Sequence, residues 1–134
     1  GARLSSDNRW LAYTADRAGR PEVWMQEYPS GSTRVQISTQ GGTHPLWRGD
    51  GRELYYLGSD RRVYAVPITP GARSPAGAPV KLFDVAVDTT VGSMHANHVA
   101  VTPDGQRFLL NISTVNQVMM TVVQNWQTAA GQAR

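Results

Sequence analysis

The tightest constraint on the fold is a turn that the chain writes three times. "SSDNRWLAY" at Ser5–Tyr13, "RGDGRELYY" at Arg48–Tyr56 and "TPDGQRFLL" at Thr102–Leu110 share one plan. Each has an aspartate, a turn-prone residue, two or three polar or mixed positions, then aliphatic and aromatic residues. The aspartates are Asp7, Asp50 and Asp104, spaced 43 and 54 residues apart. A period in the low forties is the length of one four-stranded propeller blade, about 40–45 residues. The longer second interval is taken up by "TPGARSPAGAP", Thr69–Pro79, whose Pro, Gly and Ala content reads as a loop.

The turn has a physical rationale. Gly51 and Gly105 reach positive φ without steric cost, and Asn8 is the best non-glycine substitute. The aspartate side chain accepts from the backbone N–H two residues on, and Pro103 presets φ at the first corner. The aspartates are therefore read as turn locks rather than as catalytic or metal-binding groups.

Strand signals repeat with the turn. After it come "RWLAYTA", "RELYYLG" and "QRFLLNI", then a second turn at Asp16–Pro21, Ser59–Arg62 and Ser113–Gln117. Third strands follow in "EVWMQEY", "RVYAVPI" and "VMMTVVQNW", and outer strands in "TRVQIS" and "PVKLFDV". Inner strands precede the turn in "HPLW" and "HANHVAV". No stretch of helical length shows helical periodicity. The expected fold is all-β: a partial β-propeller of about three four-stranded antiparallel blades. The blades are expected at 1–40 (inner strand incomplete), 41–86 (with the 69–79 loop) and 87–127 (outer strand lacking), with a polar tail at 128–134. By alternation, one of the Tyr55–Tyr56 pair should face each side of its sheet.

Composition narrows the function classes. The 134 residues hold no cysteine, which excludes disulfides and thiolate metal sites. Net charge is +3, with Arg61-Arg62 the densest basic spot, too little for a nucleic-acid surface. No run approaches the roughly 18 apolar residues of a membrane span. The chain starts with Gly in mid-pattern, so a fragment or processed product is expected, with targeting information lost.

"TPDGQRFLL", "RGDGRELYYL" and "SSDNRWLAYTADRAGRPEVWMQEYP" resemble the Pro-Asp-Gly propeller repeats of TolB-type proteins. The ending "VMMTVVQNWQTA", with "GGTHPLWRGDGRELYYL", resembles the C-terminal propeller of bacterial eukaryotic-like serine/threonine kinases. Departures are Asn8 for the turn glycine, and Ser6 and Gly49 where the repeat often has proline. The resemblance implies a sensor or interaction domain, with a periplasmic or extracytoplasmic location favoured. Alternatives are the substrate-gating propeller of a peptidase, a TolB-like periplasmic interaction protein, or a piece whose only role is assembly. No Gly-rich phosphate loop and no His-Arg-Asp loop is present, so this segment transfers no phosphate.

Candidate site residues come from the repeat. His44 and His98 both stand six residues before their aspartate, at the start of an inner strand. The second turns bring Arg17, Arg20, Arg61 and Arg62 to the same end. Imidazoles near the channel with arginines around it would suit a small anionic ligand or an acidic protein segment. Packing is the competing explanation for any repeated position. A zinc site is not expected, because His95 points away from His44 and His98 by strand alternation. No Gly-x-Ser-x-Gly elbow surrounds Ser5, Ser6 or Ser93. No cofactor is called for, and the chain is expected not to be an enzyme. Trp10, Trp24, Trp47 and Trp126 are read as packing residues.

Propellers have about 4–8 blades. Three leave two sheet faces open, so self-association or completion by upstream blades is expected, with "GARLS" serving as an edge strand at the junction.

Overall fold

A computed structural model describes residues 1–85, 99–114 and 117–124. They form eleven strands and no helix. The first sheet is β1 (Ala2–Leu4), β2 (Trp10–Arg17), β3 (Arg20–Glu27) and β4 (Arg34–Gln36) in sequential order. The second is β5 (Gly42–Trp47), β6 (Glu53–Gly58), β7 (Arg62–Pro67) and β8 (Val80–Asp84). The third is β9 (Val99–Val101), β10 (Arg107–Thr114) and β11 (Gln117–Gln124). Every pairing within the sheets is antiparallel. The fold is an all-β propeller fragment.

The three turns share one geometry. Asn8, Gly51 and Gly105 take φ of 57°, 72° and 72°. Their N–H groups donate to the carbonyls of Ser5, Arg48 and Thr102, at 2.9, 2.9 and 2.8 Å. Each aspartate Oδ1 accepts from the N–H two residues on: Arg9 at 3.1 Å, Arg52 at 3.0 Å and Gln106 at 2.9 Å. In two turns a hydroxyl adds to the lock, Ser5 donating to Asp7 at 2.6 Å and Thr102 to Asp104 at 2.5 Å. These bonds hold both carboxyls below the usual aspartate value. The β2–β3 connection is a two-residue loop with Ala18 and Gly19 both at positive φ, the hairpin geometry that matches strand twist.

Alternation along the strands builds two cores, one on each side of the second sheet. Leu54, Tyr56, Val66 and Ile68 pack with Ala12, Val23, Met25 and Ile37 of the first sheet. Tyr55, Leu57, Val63, Ala65, Leu82 and Phe83 pack with Phe108 and Leu110 of the third. Tyr55 and Tyr56 thus face opposite sides, as the period of two requires. The Tyr55 and Phe83 rings meet Phe108 edge to face at 5.0 and 5.3 Å. Trp10 and Trp47 pack against the first of these cores. Trp126 lies outside the described residues.

The inner strand of the first sheet, expected to be incomplete, is three residues long, against six in β5: Ala2, Arg3 and Leu4 pair with Tyr13, Ala12 and Leu11. β1 is the edge strand of its sheet and pairs with β2 on one side. The strand is anchored to the second sheet by the Trp47 indole, which donates to the Arg3 carbonyl at 2.9 Å. Residues 69–79 form a loop with internal hydrogen bonds and one isolated bridge. Thr69 N–H donates to the Pro75 carbonyl at 2.7 Å, and Gly77 N–H to the Pro67 carbonyl at 2.8 Å. The segment folds back on itself, and Ile68 and Ala76 meet the core between the first two sheets.

Candidate functional site at the inner strand ends

The inner strands β1, β5 and β9 come together, and a cavity of about 210 Å³ opens among them. Its lining draws on all three sheets: Gly1, Arg3 and Thr14 from the first, Thr43 to Leu46 from the second and Val99 from the third. A β-bulge between Thr43 and Leu46 shapes the wall. His44 sits in it at φ 56°, a left-handed conformation that few non-glycine residues adopt. Pro45 has no N–H to give to a ladder, so it fits where pairing is interrupted. The His44 ring is steadied by a 2.9 Å hydrogen bond between Nδ1 and the Thr43 hydroxyl.

Among the described residues of this lining Arg3 is the charged side chain, and none is a carboxylate. Arg3 is exposed and makes no ion pair among the described residues. A mouth with a guanidinium, an imidazole and threonine hydroxyls is chemically suited to a carboxylate.

The six residues singled out from the sequence part company here. His44 lines the cavity. His98 lies outside the described residues, as do His95 and Ser93. Arg17 lies over the Trp24 ring, 4.9 Å from its centroid. Arg20 donates to Glu22 Oε1 and to the Thr39 carbonyl, both at 2.9 Å. Arg62 Nε donates to Asp84 at 2.9 Å, with Asp60 at 3.4 Å. The Asp84 hydrogen bond raises the Arg62 pKa, and Lys81 and Arg62 together lower that of Asp84. Arg61 holds the β6–β7 turn at φ 62°. Arg20 and Arg62 are thus tied to neighbouring carboxylates rather than presented to a ligand.

Two residues escaped the sequence reading. Arg3 was hidden in a strand three residues long, although a shift of one 43-residue period aligns it with Leu46 on the inner strand of the second sheet. Glu22 is 3% exposed, a buried carboxylate. It accepts from Arg20 Nε, from the Gly41 N–H at 3.0 Å and from the Ser38 hydroxyl. Ser38 Oγ in turn accepts from the Val23 N–H at 2.9 Å. The cluster pins the link between the first two sheets to β3. At the matching place in the second sheet stands Arg62, and its partner on the outer strand is Asp84. That ion pair is exposed, unlike the buried Glu22 carboxylate.

No family model matches the chain, and no curated protein matches it. Solved structures do. TolB from Acinetobacter baumannii is similar over 92% of this chain and 29% of its own, with 16% identity and a TM-score of 0.62. A protein of Agrobacterium tumefaciens assigned to TolB is similar over 94% of this chain and 46% of its own, with 13% identity and a TM-score of 0.66. A Bacteroides uniformis protein assigned as a 6-phosphogluconolactonase is similar over 92% and 38%, with 15% identity and a TM-score of 0.55. The chain thus has a TolB-like β-propeller fold and spans less than half the length of each of these proteins. The likeness is one of fold.

Proposed function

We propose that the chain is a non-catalytic binding module that receives an acidic segment of a protein partner at the inner-strand mouth. One observation carries this reading. All three sheets contribute to one recess, and among the described residues its lining includes Arg3 and His44 and no carboxylate. A glutamate or aspartate side chain entering it would meet a guanidinium free to make two parallel hydrogen bonds. The finer reading follows the resemblance of "VMMTVVQNWQTA": the module is the sensor or interaction domain of a bacterial signalling protein such as a membrane-anchored serine/threonine kinase. The TolB neighbours favour a second reading, an interaction protein of the periplasm. The parent chain separates them, an upstream kinase domain and membrane span supporting the first.

Binding is tested by calorimetric titration with a glutamate-rich peptide and a lysine-rich control. The acidic peptide should bind, weaken as salt is raised, and lose about tenfold or more in affinity with Arg3→Gln. Equal binding of both peptides, or indifference to Arg3→Gln, would defeat the assignment. Turnover of an ester, lactone or peptide panel that survives purification would overturn the non-catalytic reading.

A further inference from the structure

A second cavity, of about 260 Å³, lies where the 39–41 link between the first two sheets passes the β6–β7 turn. Tyr56, Asp60, Tyr64 and Pro79 complete its wall, and it shares no lining residue with the inner-strand mouth. Tyr56 is 6% exposed, yet its hydroxyl has no hydrogen-bond partner among the described residues. The Tyr64 ring stacks on it with centroids 5.2 Å apart. The Tyr64 hydroxyl donates to Asp60 Oδ2 at 2.7 Å, and Arg62 Nη1 reaches the same oxygen at 3.4 Å. Asp60 Oδ1 accepts no hydrogen bond from a described residue. Gly58 permits this arrangement, because a Cβ there would lie 2.5 Å from Asp60 Oδ1 and 2.8 Å from Tyr64 Cε2. A phenol oxygen and a carboxylate oxygen, both without a donor, thus belong to the wall of one small cavity. Burial is the main cause of a raised Tyr56 pKa, and the neighbours that add to it are Tyr64, Asp60 and Glu22. The charges acting on that hydroxyl are therefore carboxylates. The nearest cations are engaged: Arg20 with Glu22 and the Thr39 carbonyl, Arg62 with Asp84 at 2.9 Å.

We propose that this cavity binds a small primary amine, its ammonium held between the Asp60 carboxylate and the Tyr56 hydroxyl and its alkyl stem laid along the Tyr64 ring and Pro79. An ammonium carries three N–H donors and no acceptor. Asp60 Oδ1 and Tyr56 Oη accept two of them, and Gln40 in the same wall brings an amide oxygen for the third. A neutral alcohol would leave the carboxylate charge unused, and hydrogen bonds to an ionised partner are about twice as strong as neutral ones. The volume is below the roughly 300–1,000 Å³ of pockets for larger ligands, which suits a short chain. Charge at the rim selects against a polybasic segment. Arg61 and Arg62 follow Asp60 in the turn, and Arg20 Cδ lies 3.4 Å from where a Cβ on Gly41 would stand. Several cations together are repelled there, whereas a single ammonium reaches the carboxylate.

Heteronuclear NMR titration with n-butylammonium chloride, against sodium chloride of equal ionic strength, reads the site. Saturable shifts are expected at Gln40, Gly41, Asp60 and Tyr64, and sodium chloride should not produce them. n-Butanol keeps the stem and loses the charge, so it should bind at least about tenfold more weakly. Asp60→Asn keeps the side-chain size and an acceptor for the Tyr64 hydroxyl while removing the charge. It should weaken amine binding about tenfold or more. Tyr56→Phe removes only the unpartnered oxygen, so it should weaken amine binding about threefold to tenfold and leave the melting midpoint unchanged. Shifts that sodium chloride reproduces, butanol binding as tightly as the amine, or an amine affinity indifferent to either substitution would each overturn the proposal. The readout uses no peptide and no residue of the inner-strand mouth, so it stands or fails separately from the proposed function.

Discussion

Gly105→Ala tests the repeated turn and the packing above it at once. The backbone there is left-handed, φ 72°, where an L-residue costs about 1–2 kcal/mol. The added Cβ would also lie 2.3 Å from the Tyr55 hydroxyl oxygen, closer than real Cβ atoms come. Tyr55 cannot swing away freely. Its side chain is buried, its ring meets Phe108 edge to face, and its hydroxyl donates to Glu53 at 2.7 Å. Burial has pushed its pKa up to about 12. Displacing it costs a strained core, about 1–3 kcal/mol, and a hydrogen bond to a carboxylate, about 1.5–3 kcal/mol. The total is about 3.5–8 kcal/mol. Gly71 is the control, at φ 80° with nothing within 4 Å of its added Cβ, so Gly71→Ala should cost only about 1–2 kcal/mol. Denaturant melts of both variants give the comparison. A third chain separates the terms: in a Tyr55→Phe background the offending oxygen is gone and the nearest ring carbon lies at 3.4 Å. There Gly105→Ala should fall to about 2 kcal/mol. Equal costs at Gly71 and Gly105, or no relief from Tyr55→Phe, would refute the account of this turn.

Other outcomes follow from the same contacts. Glu22→Gln should cost about 2–4 kcal/mol in a chemical melt, because Arg20, Ser38 and the Gly41 N–H are all aimed at a carboxylate. Ser38→Ala should couple to it in a double-mutant cycle, and strict additivity would count against the clamp. Thr14→Val should leave the melting midpoint unchanged or raise it, by up to about 1 kcal/mol, because the buried hydroxyl has no hydrogen-bond partner among the described residues. A large loss would mean that the hydroxyl is satisfied. Asp7 and Asp104 have folded pKa values below the ordinary 3.8, so their contribution is present above that value and disappears as pH falls through the lowered ones. Ser5→Ala with Thr102→Ala should therefore flatten the acid limb of a melting-temperature profile, and an unchanged limb would contradict the hydroxyl locks.

The fold was legible because local chemistry and long-range packing agree on the same period. Asp-Gly and Asp-Asn fix the turns by backbone geometry alone, and the alternating runs after them allow one sheet register. What sequence could not supply was which polar side chains satisfy each other. Arg17, Arg20, Arg61 and Arg62 carry the same charge in the text. Only the packed chain shows Arg20 held by Glu22 and Arg62 by Asp84. Those partners lie 2 and 22 residues away, and nothing local marks the second. Arg3 was missed because three residues are too short to show alternation, so β1 exists only through its pairing with β2. The His44 bulge was equally hidden, since a left-handed histidine before a proline has no distinctive local signal.

The central claim is that the mouth among the inner strands is where a partner's acidic segment enters. Heteronuclear NMR titration of the chain with a glutamate-rich peptide tests it most directly. The account predicts that shifts concentrate at Arg3, at Thr43 to Leu46 (Pro45 is silent) and at Val99, and that Arg3→Gln removes them. Shifts gathered instead at the aspartate turns around Asp7, Asp50 and Asp104, at the opposite end of the sheets, would contradict it.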